Sequence, residues 1–100
     1  MVYQTIEIGI DGLLAISEKG GLIQYFCHSD GNTADVVLIT EKGELKDTFT
    51  LADAKTDGYG KNSLWDQEPK RMLRVYAIKK ALRKHFAEII AAAEKELRGN

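Results

Sequence analysis

The chain is poor in the residues that most often betray a function. It has one cysteine, one proline, one tryptophan and two histidines in 100 residues. A single cysteine, Cys27, excludes an intrachain disulfide, and a reducing, cytoplasmic compartment is the expectation. Cys27 and His28 are neighbours, so on a strand they face opposite sides, and His85 lies far along the chain. No metal-ligand spacing emerges, and neither a metal nor a cofactor is expected. Cys27 also lacks a third group to orient its neighbouring histidine, so nucleophilic catalysis has no support and the chain is expected not to be an enzyme. No apolar run reaches transmembrane length, and the first residues lack a signal-peptide pattern. Internal repeats and low-complexity tracts are missing too. Gly58-Tyr59-Gly60-Lys61 lacks the remaining glycine and the following Ser or Thr of a phosphate-binding loop.

What is present is a charge asymmetry. The net charge is −1. Residues 61 to 84 nevertheless hold Lys61, Lys70, Arg71, Arg74, Lys79, Lys80, Arg83 and Lys84 against Asp66 and Glu68, a local excess of +6, which leaves −7 for the rest. A near-neutral total therefore does not exclude a polyanion partner, because the field is local.

Length and patterning predict a single domain, residues 1–100, with one core. Val2 to Ile8 reads as a strand. Asp11 would cap a short helix, Gly12 to Lys19, ended by Gly20-Gly21. Leu22 to Ser29 alternates, with Leu22, Gln24, Phe26 and His28 on one side and Ile23, Tyr25 and Cys27 on the other. Asp30-Gly31-Asn32 is a turn, Thr33 to Thr40 a second strand, and Leu45 to Thr50 a third, with Leu45 and Phe49 opposite Lys46, Thr48 and Thr50. Short turns make these strands an antiparallel meander. Thr50 then caps a short helix, Leu51 to Lys55, and a loop leads to Trp65.

A meander cannot bury its apolar face alone. The expected cover is one long helix, Leu64 to Arg98, with Ser63 or Asp66 as its cap and Pro69 in its first turn. At 100° per residue, Met72, Val75, Leu82, Phe86, Ile89, Ile90, Ala93 and Leu97 form its apolar stripe, broken by Lys79. Trp65 reads as a core anchor beneath the preceding loop. The predicted fold is α+β: an antiparallel sheet of three or four strands covered on one face by this long C-terminal helix, with a short helix before the sheet.

Tyr76, Lys79, Lys80 and Arg83 form a ridge along one edge of the stripe. Cations at helical spacing neutralise phosphates, and an interleaved aromatic can stack on an unpaired base. A solvated or snorkelling face would have the same composition.

With these residues identified, the chain resembles the RecT and Redβ family of phage single-strand annealing proteins, as a shortened core. The resemblance runs through Phe49-Thr50-Leu51-Ala52-Asp53-Ala54-Lys55, a Gly-containing loop, Trp65, Pro69, Met72-Leu73, Ala77, Arg83 and Phe86. Asp11 to Gly21 resembles the family's lead-in to its sheet. Tyr76 stands where the family usually has Arg or Lys, and Ala87 where it often has Pro. The resemblance implies binding of single-stranded DNA in a basic groove, homo-oligomer formation, and ATP-independent pairing of complementary strands in phage recombination. Lys79 and Arg83 would contact phosphates, Lys61, Lys80 and Lys84 would add field, and Tyr76 would offer a stacking platform. The alternative expectation is a small phage-derived regulatory module that reuses this core for a protein partner.

Overall fold

A computed structural model describes residues 8–99. The strand expected at Val2 to Ile8 falls almost wholly outside them. Within them the order is α1 (Ile10–Lys19), β1 (Leu22–Ser29), β2 (Thr33–Thr40), β3 (Gly43–Thr50), α2 (Leu51–Thr56), α3 (Ser63–Gln67), α4 (Pro69–His85) and α5 (Ala87–Leu97). The strands form an antiparallel sheet in the order β1-β2-β3. No helix among the described residues is long and apolar enough to cross a membrane. The α+β architecture expected from the sequence is therefore present, with three strands among the described residues.

The sheet has one covered face. Ala34, Val36 and Leu38 of β2 are fully buried. Tyr25 and Cys27 flank them from β1, and Leu45, Asp47 and Phe49 from β3, through the pairs Tyr25↔Leu38, Cys27↔Val36, Val36↔Asp47 and Leu38↔Leu45. Strict alternation placed Leu22 with Phe26, and this is corrected. The register shifts between Leu22 and Gln24. A bulge adds one residue, so Leu22 turns inward beside Tyr25 while Phe26 faces out. On the opposite face Ile23 is 63% and Phe26 52% exposed.

The turns and caps follow local chemistry. The Asp30 carboxylate accepts from the Asn32 and Thr33 amides at 2.8 and 2.7 Å, closing the β1–β2 turn. Thr50 caps α2 as expected, in a reciprocal box: its hydroxyl accepts from the Asp53 amide, and the Asp53 carboxylate accepts from the Thr50 amide. The N-cap of α1 is Gly9, with Asp11 inside the first turn, where it suits the positive end of the helix dipole.

The single long helix is the main correction. It is three helices, with breaks at Glu68 and Phe86. Asn62, not Ser63 or Asp66, caps α3, its side chain accepting from the Leu64 amide at 3.0 Å. Glu68 has φ −131° and ψ 61°, because the ring of Pro69 disfavours helical backbone in the preceding residue. Pro69 then opens α4, where its missing N–H costs nothing. Phe86 has φ −122° and ψ 30°, and no proline forces it. The break turns Phe86 and Ile90 back against α1, and both are buried. Gly20 permits the approach: a Cβ there would lie 3.1 Å from the Phe86 ring. Tertiary packing overrides helix propensity at this corner.

The break also resets the helical phase, so one stripe drawn through residues 72 to 97 misassigns faces. The buried side of α4 is Leu73, Tyr76, Ala77, Ile78, Ala81 and Leu82, facing the sheet. Met72 and Val75 are only half-buried, and Leu97 is exposed. Trp65 and Phe86 are buried, as their size requires.

Candidate nucleic-acid interface

The outer edge of α4 carries Met72, Val75, Tyr76, Lys79, Lys80 and Arg83 at three- and four-residue spacing, so they lie along one strip of the helix. The α2–α3 loop and α3 run beside this strip and contribute Asp57, Tyr59, Asn62 and Trp65. Together with Ile8 these side chains line an open groove of about 530 Å³. Asp57, Tyr76 and Lys80 also line a second hollow of about 280 Å³, with Thr48, Phe49, Asp53 and Thr56.

Aromatic rings build the floor. Tyr76 meets Tyr59 with centroids 5.4 Å apart, Trp65 at 6.4 Å and Phe49 at 6.1 Å, all edge-on. Tyr59 and Trp65 are tilted at 6.3 Å. Trp65 is 6% and Tyr76 7% exposed, whereas Tyr59 is 49% exposed. This corrects the role given to Tyr76: its ring is enclosed by other rings, so it cannot serve as an open stacking platform. Tyr59 has that exposure. The signal that could have found it is the pair of flanking glycines, since an aromatic between Gly58 and Gly60 has few neighbours in sequence to cover it.

The cations divide into two groups. Tyr76 donates its hydroxyl to Asp57 Oδ2 at 2.6 Å, and Lys80 Nζ donates to the same oxygen at 2.7 Å. The Lys80 and Tyr76 hydrogen bonds hold the Asp57 carboxyl below its ordinary range. Burial, and then the bond to Asp57, push the Tyr76 phenol above its ordinary range. Arg83 reaches across the Phe86 corner to Glu94 at 3.2 Å. Lys79 is half-buried in the groove wall and has no ion-pair partner among the described residues. The groove thus brings together Tyr76, Lys79, Lys80 and Arg83.

Lys84 and Lys61 are not in it. Lys84 lies one turn beyond Lys80 and donates to Asp47 Oδ1 at 2.7 Å. His85 pairs with the other oxygen of the same carboxylate, on the inner face of the sheet. Lys61 is exposed in the loop outside the groove lining. Sequence reasoning found the cations but missed Asp47, Asp57 and Glu94. Local sequence carries no sign of these partners, which lie 11 to 37 residues away.

Among the described residues no group of three His, Cys, Asp or Glu side chains could hold a metal ion. Cys27 is half-buried beneath α4, its Sγ 4.0 Å from the Arg74 carbonyl oxygen, and burial raises its thiol pKa. A thiol kept protonated is a poor nucleophile.

No protein-family model, curated protein or solved structure matches this chain.

Proposed function

We propose that the chain binds single-stranded DNA along the α4 groove and acts, without catalysis or ATP, as an annealing-type protein of phage recombination. The observation that carries the reading is one groove lined by Lys79, Lys80 and Arg83 on one wall and by Tyr59 and Trp65 beside it. Cations at helical spacing contact successive phosphates, and an exposed aromatic offers a face to any base, so binding is tolerant of sequence. The resemblance to the RecT and Redβ proteins supports the same partner, and adds homo-oligomer formation in a cytoplasmic setting. Lys61, outside the groove lining, adds field alone, and Lys84 contributes little while it holds Asp47.

Fluorescence anisotropy with a labelled oligo-dT and with a duplex of the same length, each at two salt concentrations, tests the reading. Preference for the single strand and a steep salt dependence are expected; equal or absent binding of both overturns it. Light scattering on the same mixtures reports whether assemblies grow as strands are added.

A second reading, a protein-interaction module on the same core, is favoured by the outer sheet face. Ile23 and Phe26 there are more than half exposed. A chain that stays monomeric with DNA yet binds a discrete protein through that face supports this reading.

A further inference from the structure

We infer that Asp57 occupies, within the chain's own fold, the seat of a phosphodiester oxyanion, and that the groove takes its strand by exchanging this carboxylate for a phosphate. The inference rests on the single-strand reading above and identifies its central contact.

The geometry is that of an anion clamp already assembled. Two donors of different chemistry, the Tyr76 hydroxyl and the Lys80 ammonium, converge on one oxygen at 2.6 and 2.7 Å. That is the arrangement an oxyanion requires, and hydrogen bonds to an ionised acceptor are the short, strong ones. The clamp does not depend on Asp57 for its shape. Tyr76 is fixed by the rings of Phe49, Tyr59 and Trp65, and Lys80 by the middle of α4.

Asp57 itself can leave cheaply. It is the C-cap of α2, with its amide bonded to the Asp53 carbonyl, so the backbone stays while the side chain swings. Its side chain is one-third exposed and that of Lys80 about half. Exposed pairs of this kind contribute little net stability, since water competes for both partners. Gly58, with φ 93°, follows directly and leaves the space beside Asp57 open.

The position fits a strand in transit. Asp57, Tyr76 and Lys80 are common to the groove and to the second hollow, so the carboxylate stands where the two meet. A phosphate at the clamp would have Tyr59 beside it for a base, and Lys79 and Arg83 further along the groove for the next phosphates.

The test is Asp57→Asn in the whole chain, with oligo-dT binding measured from low to high salt. The amide no longer competes as an anion, so affinity should rise by roughly fivefold at moderate salt. The slope of log affinity against log salt should steepen by about 0.7, one further single-strand phosphate contact. Asp66→Asn removes the same charge nearby but outside the clamp, and should not change the slope. Adding Lys80→Ala to Asp57→Asn should abolish the gain. If wild type binds and Asp57→Asn neither tightens binding nor steepens the slope, the exchange is wrong while the single-strand reading survives. An equal gain with Asp66→Asn likewise overturns it, as general electrostatics. If neither wild type nor Asp57→Asn binds the strand, both readings fall.

Discussion

Lys80 and Lys84 sit one turn apart on α4, and each holds an aspartate at 2.7 Å. The chemistry is the same and the surroundings are not. Asp47 lies on the inner face of the sheet with its side chain 8% exposed, and His85, itself 20% exposed, takes its second oxygen. Asp57 lies on a loop with its side chain 33% exposed. Breaking the first pair strands a carboxylate and an imidazole away from water; breaking the second returns both partners to it. The Asp47 pair therefore ties β3 to the end of α4, while the Asp57 pair is exchangeable. The burial of the carboxylate, more than the cation, decides which lysine is free to meet a ligand.

The largest effect should come from what supports the exchangeable side. Trp65→Ala removes a buried ring from the groove floor and should cost about 3–5 kcal/mol, read as a large drop in the thermal midpoint. An unchanged midpoint would mean that the groove side is surface alone, and the contrast with Asp47 would lose its meaning.

Asp47→Ala should come next, at about 2–3 kcal/mol, because it leaves Lys84 and His85 without a charged acceptor. Burial alone would raise the Asp47 carboxyl, but the hydrogen bonds and charges of Lys84 and His85 outweigh it and hold it below its ordinary range. A depressed folded value contributes stability above the unfolded value, near pH 4, and loses it as pH falls through the folded one. Wild type should weaken below about pH 4, and Asp47→Ala should flatten that acid limb in urea denaturation.

On the groove side the expected effects are on binding. Lys79→Ala with Arg83→Ala removes two phosphate contacts, so the salt slope should become shallower by about 1.4, equally for every base sequence. Loss of stability with an unchanged slope would assign both residues to the fold. The smallest effect should be that of Asp57→Asn on stability. Its thermal midpoint should match wild type, and a drop comparable to that of Asp47→Ala would abolish the distinction between the two pairs.

Much of this was legible in the sequence, for local reasons. Alternation and short turns define the meander, and Thr50 with Asp53 spells a capping box. The helical spacing of Tyr76, Lys79, Lys80 and Arg83 gives the ridge. Pro69 marks the first helix break one residue ahead of itself. The second break is not written locally. Lys84-His85-Phe86-Ala87-Glu88 is good helical sequence, and it bends because Phe86 finds α1 and Gly20 about 66 residues earlier. The bulge near Ile23 was invisible for a similar reason, since its cause is register with β2. At the site, the cations could be found and their pairing could not. The −7 outside the basic stretch was known, but which carboxylate meets which lysine depends on how the layers close. Tyr59 was passed over because its loop was compared only with phosphate-binding motifs.

The clasp between α1 and α5 bears on how the chain is made. Leu13 is fully buried, and the helix that carries it packs against α4 and α5, with Phe86 and Ile89 closing over Gly20. The strands pair with near neighbours and can close early. Helix α1 must wait for the ribosome to deliver residues some 70 positions later, a delay on the order of ten seconds at ordinary elongation rates. Until then the nascent chain is a meander beside a helix with nothing against its apolar side. In that interval the chain would depend on chaperones, and two copies emerging from one message would be most apt to tangle.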